Sequence, residues 1–160
     1  MGVEERLAAL ERRVQAAEDQ LEIIRLLSTY GPLVDSGEGE AAAQLWIEGG
    51  AYDVFGLERF IAPHHLVSMY EGDLHQSLIA AGSAHLTATP RITLNGDAAE
   101  ALAYSFIVLR DNDGWRVYRA AVNYWTLVRT SAGWRIKERY NRPIDGSEGS
   151  YEMMRKALVA

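Results

Sequence analysis

Apolar and polar residues alternate from Ser83 to Arg142, and the alternation is interrupted three times. Asn95-Gly96-Asp97, Asp111-Asn112-Asp113-Gly114 and Ser131-Ala132-Gly133 supply Gly and Asn, the residues that accept the positive φ of tight hairpins. The stretch therefore reads as four sequential strands. In the third, Trp115, Val117, Ala121, Trp125 and Leu127 share one face, and Tyr118, Val122, Tyr124, Thr126 and Val128 take the other. β-Branched and aromatic residues at a period of two are the signature of a strand. Hairpins in sequence make an antiparallel meander, and long antiparallel sheets twist and coil. A coiled sheet has a concave face that other elements must cover.

The first half of the chain carries a helical period. Val3, Leu7, Leu10, Val14, Ala17, Leu21 and Ile24 recur at steps of four and three, an a/d stripe of about three heptads. One reading is an amphipathic helix that caps the domain; the other sends its first half to a neighbouring subunit. The length of the stripe favours a homo-oligomer, with its number, trimer or dimer, left open. The helix continues through Ile23, Leu26, Leu27, Tyr30 and Val34, with Pro32 expected to kink or break it and Gly37 to end it. Further helices are expected from Glu40 to Ile47, closed by Gly49-Gly50, and from Pro63 through His64 and His65 to about Ile79. Ala51 to Phe55 reads as a short edge strand, and Tyr151 to Val159 as a terminal helix. The expected organisation is one domain over residues 1–160, with N-terminal helices over 3–47, the sheet over 83–142 and a C-terminal helix over about 151–159. Helices segregated beside an antiparallel sheet make an α+β fold. Its shape is a cone, a curved sheet with helices packed over the concave face, and the mouth of a cone is a ligand site.

Composition narrows the partners. A length of 160 residues suits one domain with a real core. The formal net charge of -6 argues against a nucleic-acid partner, which selects a basic face. No apolar run approaches the ~20 residues of a membrane span, and the charged start Glu4-Glu5-Arg6 is unlike a secretory signal. A cytoplasmic protein is the expectation. The absence of cysteine excludes disulfides and thiolate chemistry.

The histidines do not suggest a metal site. His64 and His65 are neighbours, so on a helix their side chains diverge by about 100°. His75 has no acidic or imidazole partner at ligand spacing, and no H-E-x-x-H motif is present; these three read as surface or helix-cap residues. His85 differs. It stands early in the first long strand, opposite in face to Ala84 and Leu86. Tyr30 and Asp35 end the long helix, where a helix covering the cone meets its mouth. A carboxylate beside an imidazole fixes its tautomer and supports a general base.

These residues carry a family resemblance. Val3-Glu4-Glu5-Arg6-Leu7-Ala8-Ala9-Leu10-Glu11, Tyr30 with Asp35 five residues on, His85 with Pro90 five residues on, and the hairpin Gly133-Trp134-Arg135-Ile136 occur in an order that resembles the SnoaL-like branch of the nuclear-transport-factor-2-like superfamily. The group includes bile-acid 7-alpha-dehydratase and scytalone dehydratase. The resemblance implies an Asp35–His85 dyad in which the His removes a proton during elimination. It also implies that Tyr30 bonds substrate or leaving group. Asn123 and Arg142 fall where relatives have substrate-binding residues, although Asn123 also reads as an inter-strand hydrogen bond and Arg142 as a surface ion pair. The chain departs from those relatives in three places. Val108 replaces an acidic residue, Ala121 a pocket serine, and no second histidine stands near Arg110.

The function expected is that of a cofactor-free lyase or isomerase of the dehydratase kind. Its ligand would be a hydrophobic polycyclic, aromatic or steroid-like small molecule. Tyr52, Tyr104, Trp125 and Trp46 would shape the pocket. The rival readings are a non-catalytic binding or assembly module, and a structural subunit like the small subunits of ring-hydroxylating dioxygenases.

Overall fold

The alternating segment becomes five strands rather than four in the structure, a computed structural model that describes residues 2–159. They are β3 (Ser83–Thr87), β4 (Arg91–Asn95), β5 (Ala98–Asp111), β6 (Gly114–Thr130) and β7 (Gly133–Pro143). Pro90 divides the first expected strand, because a residue without an N–H interrupts the ladder. β3 and β4 both pair with β5, on either side of that break. Two further strands, β1 (Trp46–Val54) and β2 (Glu58–Ile61), complete one sheet in the order β2-β1-β7-β6-β5-β3, with β4 beside β5. The sheet is curved and unclosed. All its pairings are antiparallel except β1 with β7, which makes it mixed.

Several boundaries move from the expected positions. The second helix, α2, spans only Gly39–Ala43, and Trp46 and Ile47 join β1 instead. There Trp46 buries its ring and the Leu45 carbonyl accepts from Ile136 N–H at 2.9 Å. β1 is not an edge strand; it lies between β2 and β7. The helix expected from His64 to Ile79 is two helices, α3 (His64–Glu71) and α4 (Asp73–Ala81), separated by Gly72 in an extended conformation. Pro32 does not break the first helix: α1 runs from Val3 to Asp35, and the Pro32 carbonyl accepts from Ser36 N–H at 3.0 Å. The Pro32 ring removes one donor near the end of the helix, too late to disrupt more than the last turns. The terminal helix α5 (Glu148–Val159) lies on the convex face, against Tyr124 and Tyr140.

α1 covers the concave face with Ile23, Leu27, Tyr30 and Val34. They pack on the inward residues Ala99, Ala101, Trp125, Leu127, Trp134 and Ile136. Burying a side chain of this size stabilises the fold by about 1.5–3 kcal/mol. The inward alanines of β5 leave room for the helix. This face of α1 is not the heptad stripe; Val3, Leu7, Leu10, Val14 and Leu21 are all exposed.

One buried carboxylate clamps α1 to the β6–β7 hairpin. Asp19 accepts from both Arg129 Nη atoms at 2.8 and 2.6 Å, from Trp134 Nε1 at 3.2 Å and from Gln15 at 3.1 Å. The Arg129 bonds, assisted by those of Trp134 and Gln15, hold its carboxyl down to about 2 against the ordinary 3.8, although burial opposes them. A carboxylate with a depressed folded-state value stabilises fully above its unfolded value, and that stabilisation is lost as pH falls through the folded one. Urea unfolding should therefore show a loss of stability between about pH 4 and pH 2 that Asp19→Asn removes. At neutral pH the same substitution should cost about 1.5–3 kcal/mol, the usual value of a hydrogen bond to a charged group.

Candidate active site

The site begins where α1 meets β3. Gly31 is buried against the backbone of His85: a Cβ on Gly31 would stand 2.0 Å from the His85 carbonyl oxygen. Only glycine permits that approach. It brings Asp35, about one turn further on, over the start of β3. Asp35 Oδ2 accepts from the His85 N–H at 2.6 Å, and Oδ1 lies 2.6 Å from His85 Nδ1 and 3.1 Å from Ser83 Oγ, which donates to it. Burial raises the Asp35 carboxyl, but the bonds from the His85 ring and amide, with that of Ser83, outweigh it and hold it below the ordinary value. An ionised carboxylate can only accept, so Nδ1 donates to Asp35 and Nε2 is left as the second ring nitrogen.

His85 lines a cavity of about 560 Å³ enclosed by α3, α4, the β1–β2 hairpin and the concave sheet. Its walls are mostly apolar or aromatic, with Tyr52, Val54, Phe55, Phe60, Met69, Leu74, Leu78, Phe106 and Ile107 among them. Phe55 holds φ at +59° in the β1–β2 turn, a conformation uncommon for a side chain of its size. Its ring lies under Arg119, whose guanidinium carbon is 4.7 Å from the ring centre. The Tyr30 ring meets His85, Tyr70 and Trp46 edge-on, at 6.4, 6.2 and 6.0 Å between centres. Burial pushes the Tyr52 and Tyr70 hydroxyls above the usual phenol range, so both are neutral donors. The Tyr70 hydroxyl is buried without a hydrogen-bond partner among the described residues.

Sequence reasoning missed Arg139 and His75 among the cavity residues. Arg139 is a buried cation on the inner face of β7. Its Nε donates to Asn123 Oδ1 at 2.9 Å, and its guanidinium carbon lies 4.4 Å from the centres of both the Tyr30 and Tyr52 rings. No carboxylate pairs with it among the described residues. His75, read as a surface residue, brings its ring to 5.5 Å from that of His85. Its Nε2 donates to the Val34 carbonyl at 3.0 Å, which leaves Nδ1 as the second nitrogen. α4 thus places a second imidazole on the cavity wall beside His85. Nothing in the local spacing of His75 indicates this, because the bend at Gly72 decides it.

The remaining expected residues fall in three places. Tyr30 and Tyr52 line the cavity with His85. Asn123, Trp125 and Trp46 are buried behind its wall. Asn123 is fully engaged: its amide donates to Ser105 Oγ at 2.6 Å while Oδ1 accepts from Arg139 and Asn141. It therefore orients Arg139 rather than facing a ligand. Tyr104 and Arg142 do not face the cone. Tyr104 is half exposed on the convex face, its hydroxyl 3.5 Å from Met154 Sδ under α5. Arg142 is ion-paired with Asp53 and borders the convex groove. Among the described residues, no group of three or more His, Asp or Glu side chains is disposed to hold a metal ion. No helix among them is long and apolar enough to cross a membrane.

A curved sheet covered by a long helix, with Asp and His joined at its mouth, defines a cone of the nuclear-transport-factor-2-like class. Residues 15–140 match the model of the SnoaL-like domain, and the chain belongs to that family. A crystal structure of an NTF2-like protein with a cystatin-like fold from Novosphingobium aromaticivorans is 35% identical. The match covers 92% of this chain and 96% of that one, at a TM-score of 0.89. More distant structures share the fold. ActVI-ORFA from Streptomyces coelicolor is 15% identical over 79% of this chain and 98% of that one, at a TM-score of 0.69. A Catenulispora acidiphila protein in complex with S-DNPA is 19% identical over 85% and 94%, at 0.65. A comparison with curated proteins finds no match.

The contact at Gly31 gives a direct test of how the site is assembled. Gly31→Ala should destabilise the protein by about 1–3 kcal/mol or more in urea unfolding, the usual penalty of forcing extra volume into a packed contact. Ser36→Ala, on the exposed helix end, should leave the midpoint within about 0.5 kcal/mol.

Proposed function

We propose that this chain is a lyase or isomerase that acts on a hydrophobic polycyclic or aromatic small molecule by imidazole general-base catalysis, with no cofactor required. The observation that carries this reading is the 2.6 Å contact of Asp35 with His85 Nδ1 at the wall of a cavity of about 560 Å³. Imidazole ordinarily titrates near neutral pH, which suits it to remove a proton from carbon. His85 Nε2 takes the proton from a carbon next to a carbonyl. The electron pair moves onto the carbonyl oxygen, and Arg139 and the neutral tyrosine hydroxyls stabilise the charge that develops there. Preorganised donors in a site shielded from water are among the largest contributors to catalysis. Asp35 steadies the imidazolium as it forms. The enolate then either expels a leaving group from the adjacent carbon, completing an elimination, or is reprotonated at another carbon, completing an isomerisation. In an elimination, the proton held on His85 passes to the departing oxygen, with the His75 ring 5.5 Å from that of His85. A Catenulispora acidiphila protein of the same fold forms a complex with S-DNPA, which supports a small-molecule ligand for this chain.

The test begins with a thermal-shift screen of polycyclic phenols and enones, followed by turnover of the compounds that bind. His85→Ala should lower kcat by about 10²–10⁴-fold, the usual contribution of a general base. Asp35→Asn should also slow turnover, with the far-UV spectrum unchanged. If His85→Ala converts the ligand as well as the parent, the dyad is structural and the general-base reading fails; if ligands bind and none is converted, the chain is a binding module.

A further inference from the structure

We infer that the N-terminal half of α1 is the seam of a parallel coiled coil formed with a second copy of this chain. The first sixteen residues of the helix, 3–18, contain no buried side chain; burial starts at Asp19. At 1.5 Å per residue this is a rod of about 24 Å with an apolar stripe facing water. Val3 is 82% exposed and Leu7, Leu10, Val14 and Leu21 are each more than half exposed. A helix of that length is marginal in isolation and needs a partner for its apolar face.

Three observations choose the partner. The stripe keeps a seven-residue repeat, with Leu7, Val14 and Leu21 at a and Val3 and Leu10 at d, the pattern that two helices bury between them. The stripe also lies about 150° round the helix from Ile23, Leu27 and Val34, counting 100° per residue. Two copies can therefore join along it with their folded bodies pointing outward. Finally, the flanking charges are sorted by side. The e positions are Glu4, Glu11 and Glu18, whereas Arg6 and Arg13 occupy g. In a parallel pair each g residue faces the partner's next e residue, so Arg6 meets Glu11 and Arg13 meets Glu18, twice over by symmetry. An antiparallel pair would set glutamate against glutamate and arginine against arginine. These four side chains make no ion pair within the chain among the described residues. Most of the stripe precedes residue 15, where the match to the family begins.

The chain has no cysteine, so a single introduced thiol reports on register. Light scattering should give a multiple of 17.8 kDa. Leu10→Cys should form an intermolecular disulfide on air oxidation, because a d residue meets its own counterpart only in a parallel seam. Arg6→Glu with Arg13→Glu should return the protein to a monomer without changing its far-UV spectrum per residue in the folded body. Glu11→Arg with Glu18→Arg should do the same, and mixing the two variants should restore assembly, since each then offers the other's complement. A monomer at all concentrations overturns the inference. So does an oligomer that survives both charge reversals and leaves the Leu10→Cys thiol free, because it must assemble through another surface.

Discussion

The absence of a side chain at Gly31 is the constraint on which the geometry of the cone depends. The carbonyl oxygen of His85 occupies the place where a Cβ would be. α1 consequently lies flush on β3, and Asp35 reaches the His85 amide and imidazole with its two oxygens. One carboxylate both docks the helix on the sheet and selects the imidazole tautomer. The backbone bond would exist whatever the ring did, so the carboxylate is already positioned and ionised before any proton is transferred. Such preorganisation is what the proposed general-base step requires.

The alternating pattern exposed the sheet and the heptads exposed the long helix, but periodicity fails wherever a bulge changes its phase. Ile107 faces Arg119 while Val108 faces Val117, so Tyr118 is extra in β6. Trp115 and Val117 are thereby turned to the face opposite Trp125, contrary to simple alternation. A second shift, at Lys137, places Ile136 against Leu127 and Arg139 against Trp125. Counting by twos from Trp134 points to Arg142 as an inward residue. The bulge turns Arg139 and Asn141 inward instead and directs Arg142 to Asp53. Tyr30, Asp35 and His85 were accessible to sequence reasoning because they stand near element ends, before any bulge intervenes. His75 was not, since its position depends on how α4 folds back after Gly72.

Arg139 shows how the protein treats charge in the cone. Arg129 and Arg142 each meet a carboxylate where they leave water. Arg139, more buried than either, has aromatic rings and the Asn123 carbonyl in place of one. Rings and amides offset the loss of hydration only in part, and an unpaired buried cation is costly. A neighbouring carboxylate would reduce the cost but also neutralise the field in the cavity. The arrangement leaves the Arg139 charge unneutralised at the cavity wall, as the proposed stabilisation of a developing oxyanion requires.

On the proposed assembly, the two apolar stripes of α1 divide folding from self-association within one helix. Ile23, Leu27, Tyr30 and Val34 belong to the core and carry the site; the heptad residues belong to the other side and carry nothing the fold needs. Because the stripes are nearly opposite, a partner seated on one leaves the mouth of the cone unobstructed. The helix spends no contact on both tasks, so changes in either stripe act on separate equilibria. The same separation explains why the heptad pattern, the plainest helical signal in the sequence, does not mark the face that builds the core.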